Sequence, residues 1–266
     1  MMRGGFICGL AVAILCHSAV AQTSVQEVAA LGKFFREQKV VGTFVMLDPE
    51  SDTLHGWNEA RAKQRYIPAS TFKIPNALIG LHVGAVANVE EVLPYGGEPQ
   101  RLKQWEKDMN LRDAIVVSNV PVYRELARRI GLERMRAAVK TLGYGNAEIG
   151  EVVDRFWLDG PLKISAMEQV QFLHRLTSGQ LPMQDKAVRA VIEITPLEKG
   201  EKHALHGKTG WHWPGDGGQQ IGWWVGWIER GGKVYPFALN IDINSDEDAA
   251  KRIPIARACL QALGKL

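Results

Sequence analysis

Tyr66-Ile67-Pro68-Ala69-Ser70-Thr71-Phe72-Lys73-Ile74-Pro75-Asn76 places a serine and a lysine three residues apart in an apolar setting. On a helical turn, positions i and i+3 project from the same face. Pro75 lacks the backbone N–H that a helix interior needs. The stretch therefore predicts a tight 3₁₀-like turn over Ser70–Lys73, where i and i+3 eclipse, with Pro75 opening the regular helix. A hydroxyl becomes a useful nucleophile only when a base takes its proton, and a lysine serves as that base only where burial lowers its pKa. Phe72, Ile74 and Ala77 lie around Lys73, and no carboxylate occurs within six residues. Ser-x-x-Lys also arises by chance about once in a chain of this length, so the pair takes its weight from what accompanies it.

Outward from this stretch, the two ends of the chain read alike and the middle differs. On the N-terminal side, Ser24-Val25-Gln26-Glu27 reads as a capping box for an amphipathic helix carrying Val28, Leu31, Phe34 and Phe35. Val40 to Leu47 reads as a strand, Asp48 to Asp52 as a turn, and Thr53 to Trp57 as the antiparallel return. Beyond the Ser70 helix, Gly96-Gly97 breaks the chain and Arg101 to Asn110 has helical character. Pro121 starts a helix closed by Gly131, Met135, Val139 and Leu142 mark another closed by Gly143, and Ser165-Ala166-Met167-Glu168 is a second capping box. Leu205–Trp211, Ile221–Glu229 and Lys233–Ile243 read as strands, with Gly231-Gly232 as the hairpin turn between the last two. Ile255, Cys259, Leu260 and Leu263 form one face of a closing helix.

The expected fold is α/β of the α+β type. An antiparallel sheet flanked by helices is formed by both chain ends, and an all-helical lobe is inserted between them. The α/β lobe covers about 22–60 and 182–266, and the helical lobe about 61–181.

The first twenty-one residues read as a signal peptide: Arg3, an apolar run from Phe6 to Cys16, and the small-residue site Ala19-Val20-Ala21. The alternative is an N-terminal anchor, but the run is short for a membrane span. Cys8 and Cys16 leave with the signal, so Cys259 alone remains and no internal disulfide is expected. Loss of Arg3 lowers the net charge from +3 to +2, which argues for neither nucleic acid nor an anionic membrane surface as a partner.

Two further segments follow Ser70 and Lys73. Ser118-Asn119-Val120 sits before the Pro121 helix, where a hydroxyl can face a cleft. Lys208-Thr209-Gly210 lies on a strand and precedes Trp211. Together they supply two hydroxyls and a cation, the groups needed to bind a carboxylate and pass a proton.

In this order the motifs resemble those of the penicillin-recognising serine enzymes, and within them the class D (oxacillinase-type) β-lactamases. Pro68 to Asn76 looks like that class's nucleophile segment. Gln104-Trp105-Glu106-Lys107-Asp108, Ser118-Asn119-Val120, Tyr144-Gly145-Asn146 and Phe156-Trp157-Leu158-Asp159-Gly160 resemble its later boxes, and Arg252 with Ile255 its C-terminal arginine motif. The resemblance covers nearly the whole mature chain.

The resemblance implies roles. Ser70 would attack a β-lactam carbonyl, with the N–H groups of Ser70 and Trp211 as the oxyanion hole. Lys73 would be carbamylated by CO₂ to N6-carboxylysine and act as general base for acylation and deacylation, with no other cofactor and no metal. The Trp157 indole would hold the carbamate, while Val117, Val120 and Leu158 keep the pocket dry. Ser118 would relay the proton to the leaving nitrogen. Lys208, Thr209 and Arg252, beside Gly210 and Val120, would engage the substrate carboxylate, the arginine having a fork suited to a bidentate contact.

Other features read structurally. His203 and His206 fall on opposite faces of a strand, which disfavours a zinc site. Trp223, Trp224 and Trp227 read as sheet core rather than a sugar platform, and Gly222 and Gly226 as close approaches by neighbouring backbone. Trp211 and Trp213 are expected to line the substrate's side-chain pocket, with the glycine-rich stretch to Gln220 as a specificity loop. The expected product is a periplasmic β-lactam hydrolase giving antibiotic resistance, monomer or homodimer, off the membrane once the signal is removed. Its rivals are a β-lactam sensor domain that is acylated without turnover, and a peptidoglycan transpeptidase or carboxypeptidase.

Overall fold

The computed structural model describes residues 24–266, so the signal-peptide expectation for residues 1–21 lies outside the described residues. In chain order the elements are β1 (Val25–Glu27), α1 (Gly32–Glu37), β2 (Gly42–Asp48), β3 (Thr53–Trp57), α2 (Glu59–Lys63), α3 (Lys73–His82), α4 (Leu111–Val116), α5 (Val120–Ile130), α6 (Leu132–Leu142), α7 (Ala166–Thr177) and α8 (Asp185–Glu193). The chain then returns to strands β4 (Pro196–Lys199), β5 (His203–His212), β6 (Gln220–Arg230) and β7 (Lys233–Ile243), and closes with α9 (Asp246–Ala262).

The strands form one seven-stranded sheet in the order β1-β3-β2-β7-β6-β5-β4. β2 pairs antiparallel with β7, Thr43 opposite Asn240, and this pairing joins the two ends of the chain. All pairs are antiparallel except β1 with β3 at one edge. The expected α/β architecture holds, a mixed sheet flanked by helices, with a helical stretch between β3 and β4 that runs on to Glu193.

Helices cover both faces, and the β6 sequence shows why. Side chains alternate along a strand. Trp223, Val225 and Trp227 join one apolar core with Phe72, Leu126 and Val170. Trp224 and Ile228 join the other, with Phe35 of α1 and Ile255 and Leu260 of α9. All three tryptophans are sheet core, as expected. A Cβ at Gly226 would stand 2.0 Å from the His206 carbonyl, so the neighbouring backbone excludes any side chain. At Gly222 the expectation of a backbone neighbour is corrected: the close atoms are side chains, Ile243 Cδ1 at 2.6 Å and Arg252 Cδ at 2.8 Å.

Two helix expectations are also corrected. Ser24–Glu27 is not a capping box: Val25–Glu27 is the parallel edge strand, and Glu27 accepts from the backbone N–H groups of Asn58 and Glu59. Tertiary partners for this carboxylate override the local motif, and α1 begins only at Gly32. The stretch Arg101–Asn110 holds only a 3₁₀ turn at Lys103–Trp105. Leu93 and Met109 exchange both backbone hydrogen bonds (2.9 and 3.1 Å), and Trp105 Nε1 donates to Val117 O at 3.0 Å. These long-range bonds replace the i→i−4 ladder.

Candidate active site

The Ser70 segment forms the expected tight turn. A 3₁₀ turn spans Ala69–Phe72 and passes directly into α3 at Lys73. Pro75 thus falls in the first turn of α3, where backbone N–H groups have no intrahelical partner in any case. Ala69 is held at φ 49°, the left-handed region that an alanine avoids. Several anchors hold it there. Thr71 Oγ1 donates to Pro68 O (2.8 Å) and accepts from Gln169 Nε2 (2.9 Å), and Trp223 Nε1 donates to Ile67 O (2.9 Å). Phe72 is fully buried, stacked on Trp157 at 5.4 Å and edge-on to Tyr144 and Phe156. Burying a side chain of this size contributes about 2–3 kcal/mol, comparable with the cost of one strained backbone residue, about 1–3 kcal/mol.

Lys73 is fully buried, and its Nζ donates to Ser70 Oγ at 2.9 Å. Among the described residues no carboxylate pairs with it. Nζ stands 5.3 Å from the centroid of the Tyr123 ring. Burial, and secondarily the charge of Lys208, push its pKa well below the usual lysine value. A neutral amine and a hydroxyl can each donate or accept, so this contact suits proton transfer from Ser70.

Trp157 is fully buried, and its indole Nε1 has no hydrogen-bond partner among the described residues. A buried N–H without an acceptor costs about 1–3 kcal/mol. Its ring lies against Phe72, the neighbour of Lys73 in sequence. The adjoining Leu158 carbonyl contacts His212 Nδ1 at 2.9 Å, which ties this segment to the end of β5.

Ser118 lies at the junction between α4 and α5, at φ 58°. Asn119 locks it from both sides: its Oδ1 accepts from Val122 N (3.1 Å) as the α5 cap, and its Nδ2 donates to Trp105 O (3.2 Å). α5 in turn is fixed to α3, since Asn76 Nδ2 donates to Tyr123 O (3.0 Å). Val120, the first residue of α5, is half-buried.

β5 supplies the other wall. A Cβ on Gly210 would stand 2.9 Å from Pro68 O and 3.0 Å from Thr71 Cγ2, so only glycine lets the strand pack on the Ser70 turn. Lys208 is buried, donates to Thr209 O at 3.0 Å, and is pushed down to about 7 by burial and then by Arg252. Arg252 reaches in from α9. Its Nη1 donates to Gly210 O at 2.6 Å and its Nε to Ala249 O at 2.5 Å, and burial lowers its pKa to about 10. A guanidinium has five N–H donors, so Nη2 and part of Nη1 remain for a ligand. Trp211 stacks on the part-exposed Trp213 at 5.3 Å.

Two neighbours of this site were not singled out from the sequence. Tyr123 places its ring beside Lys73, and Arg101 sits over Trp213. The three-residue spacing from Val120 to Tyr123 on one helix was the available clue for the first. His203 and His206 take structural partners: His203 bonds to Glu198 at 3.1 Å, and His206 stacks on Trp227 at 4.7 Å.

Comparison with known proteins agrees with this geometry. Residues 37–261 match the penicillin-binding protein transpeptidase domain. The β-lactamase OXA-5 of Pseudomonas aeruginosa is 41% identical over 254 residues, 95% of each chain, and OXA-10 of the same organism is 39% identical over 255 residues, 95% of this chain and 96% of that one. The crystal structure of FUS-1 (OXA-85), a class D β-lactamase from Fusobacterium nucleatum subsp. polymorphum, superposes with a TM-score of 0.87 at 45% identity, covering 90% of this chain and 99% of that one. The chain belongs to the class D β-lactamases, within the penicillin-binding transpeptidase-domain family.

Proposed function

We propose that this chain hydrolyses the β-lactam ring of penicillin-type antibiotics through an acyl-enzyme on Ser70, and so confers resistance. The observation that carries the reading is Lys73: fully buried, without a carboxylate partner among the described residues, and 2.9 Å from the Ser70 hydroxyl. Ser70 Oγ attacks the ring carbonyl carbon as its proton passes to Lys73. The N–H groups of Ser70 and Trp211 stabilise the oxyanion. The ring C–N bond breaks as Ser118 hands its proton to the leaving nitrogen and takes from Lys73 the proton that came from Ser70, which leaves Lys73 free to accept another. Water then attacks the acyl carbon, with Lys73 again as the base, and Ser70 leaves with its proton restored. Lys208, Thr209 and Arg252 hold the substrate carboxylate.

The residues present fit a CO₂-derived carboxyl group on Lys73. CO₂ adds only to a neutral amine, and burial favours that form here. Among the described residues Trp157 Nε1 is a buried donor without an acceptor, suited to hold the added oxygen atoms. On Lys73 such a group supplies an anionic base at neutral pH.

The mature chain is read as periplasmic, exported by the signal at residues 1–21, and as a monomer or homodimer. No described helix is long and apolar enough to cross a membrane. The test is steady-state ring opening of benzylpenicillin by the purified chain. Multiple turnover, abolished in Ser70→Ala, supports the proposal. One equivalent of stable adduct without turnover would make it a sensor domain.

Arg252→Ala should raise KM for penicillins about tenfold or more, with a smaller change in kcat, because a charge-assisted contact of about 1.5–3 kcal/mol is lost from uniform binding. Steady-state kinetics on two penicillins would check this. An unchanged KM would move the role to Lys208.

A further inference from the structure

Arg101 and Trp213 meet across the mouth of the cleft, and each is anchored to a different wall. Four residues after Arg101, Trp105 donates its indole N–H to Val117 O and accepts Asn119 Nδ2 on its carbonyl. The Arg101 segment therefore runs beside Ser118. Trp213 follows Gly210 by three residues, and Gly210 lies against Pro68 and Thr71 of the nucleophile turn. The Arg101–Trp213 contact thus joins the Ser118 wall to the wall that carries Ser70.

The contact is tight. The guanidinium carbon of Arg101 is 3.6 Å from the centroid of the Trp213 ring and 5.6 Å from that of Trp211. The two indoles are stacked within 18° of parallel. At 3.6 Å the guanidinium sits over the ring face in a cation–π contact, and those of its five N–H groups that do not face the indole stay available to an acceptor. Among the described residues Arg101 has no carboxylate partner. The nearby acid in the Trp213 loop, Asp216, accepts from Gly218 N at 3.0 Å. Trp213 is 45% exposed, which leaves aromatic surface beside the cation.

We propose that Arg101, seated on Trp213, is a specificity-determining residue that binds a carboxylate carried on the acyl side chain of the β-lactam, separately from the ring carboxylate assigned to Lys208, Thr209 and Arg252. The inference rests on the β-lactamase reading above. The favoured substrate is a penicillin whose side chain pairs an aryl group with a carboxylate. The aryl group lies against the exposed indole, and the carboxylate takes the guanidinium fork.

The test compares benzylpenicillin with its α-carboxy derivative, which differs by one carboxylate. Arg101→Met keeps length and apolar contact but removes the charge. It should lower kcat/KM for the α-carboxy compound about fivefold, chiefly through KM, and that for benzylpenicillin by less than about twofold, as expected for one part-exposed ion pair. Raising ionic strength should erode the wild-type preference and leave that of Arg101→Met unmoved. Arg101→Lys should retain part of the preference. An equal fall for both substrates, or an unmoved ratio, would overturn the proposal and reduce the contact to a shaping role. A wild-type enzyme that opens neither ring would instead overturn the underlying functional reading.

Discussion

Trp157→Ala should leave Ser70 acylated by penicillin, with turnover reduced by about three powers of ten, equivalent to about 4 kcal/mol of barrier. The indole fills a fully buried site against Phe72, and its N–H has no other acceptor among the described residues. Its loss opens an apolar pocket to water and removes the donor proposed to hold carboxylated Lys73, so the lysine returns toward its charged form. Acylation survives in part, because ring strain and the oxyanion hole still favour attack. Deacylation has no ring strain and needs a base to activate water. Removing so large a buried ring also costs about 3–5 kcal/mol of stability, so Trp157→Phe is the companion variant: it keeps an aromatic ring against Phe72 and deletes only the N–H. Intact mass after brief exposure should show a persistent adduct in both. Near-normal turnover per folded molecule, with a lowered Tm and no adduct, would make Trp157 a packing residue.

Activity should fall toward low pH and again toward high pH, each limb with its own group. As pH falls, Lys73 takes up a proton. Its lowered pKa delays this but does not prevent it, and the charged amine can neither accept a proton nor hold CO₂. The acid limb therefore belongs to Lys73, and kcat should drop there by up to about tenfold for each pH unit below its pKa. Added bicarbonate should restore the rate reversibly by mass action. As pH rises through about 7, Lys208 loses its charge and its hold on the substrate carboxylate. That limb should appear in kcat/KM, which reports the free enzyme. In kcat it should move to higher pH, because a bound carboxylate favours the charged lysine. Rates that are equal in degassed and bicarbonate-supplemented buffer at every pH would leave Lys73 a plain amine base.

What the sequence disclosed depended on how local the cause was. The Ser70 turn, the Pro121 helix, the Ser165 capping box and the Gly231-Gly232 hairpin are each set by residues within a few positions of one another, and all appear where expected. The same kind of evidence misled at Ser24–Glu27. There a capping pattern was present, but Glu27 found its N–H partners 31 and 32 residues away at Asn58 and Glu59. Edge strands β1 and β4 are three and four residues long, too short for alternation to show. In α9, Pro254 hid the helix that begins at Asp246, although Asp248 fixes its start by accepting from Asn244 and Ser245. In the site, the motif residues were legible because their chemistry is local to short strings. Arg101 was not, since its role arises only where two loops meet.

The account stands most directly on Lys73 carrying a carboxyl group that turnover requires. Carbon-13 NMR of the purified enzyme in ¹³C-bicarbonate, with penicillin turnover measured on the same samples across a pH series, tests this. The predicted result is a single protein-bound carbamate resonance that is absent in Lys73→Ala, weak in Trp157→Phe, and falls with kcat as the pH is lowered. Full turnover without such a resonance, or a resonance that persists in Lys73→Ala, would contradict it.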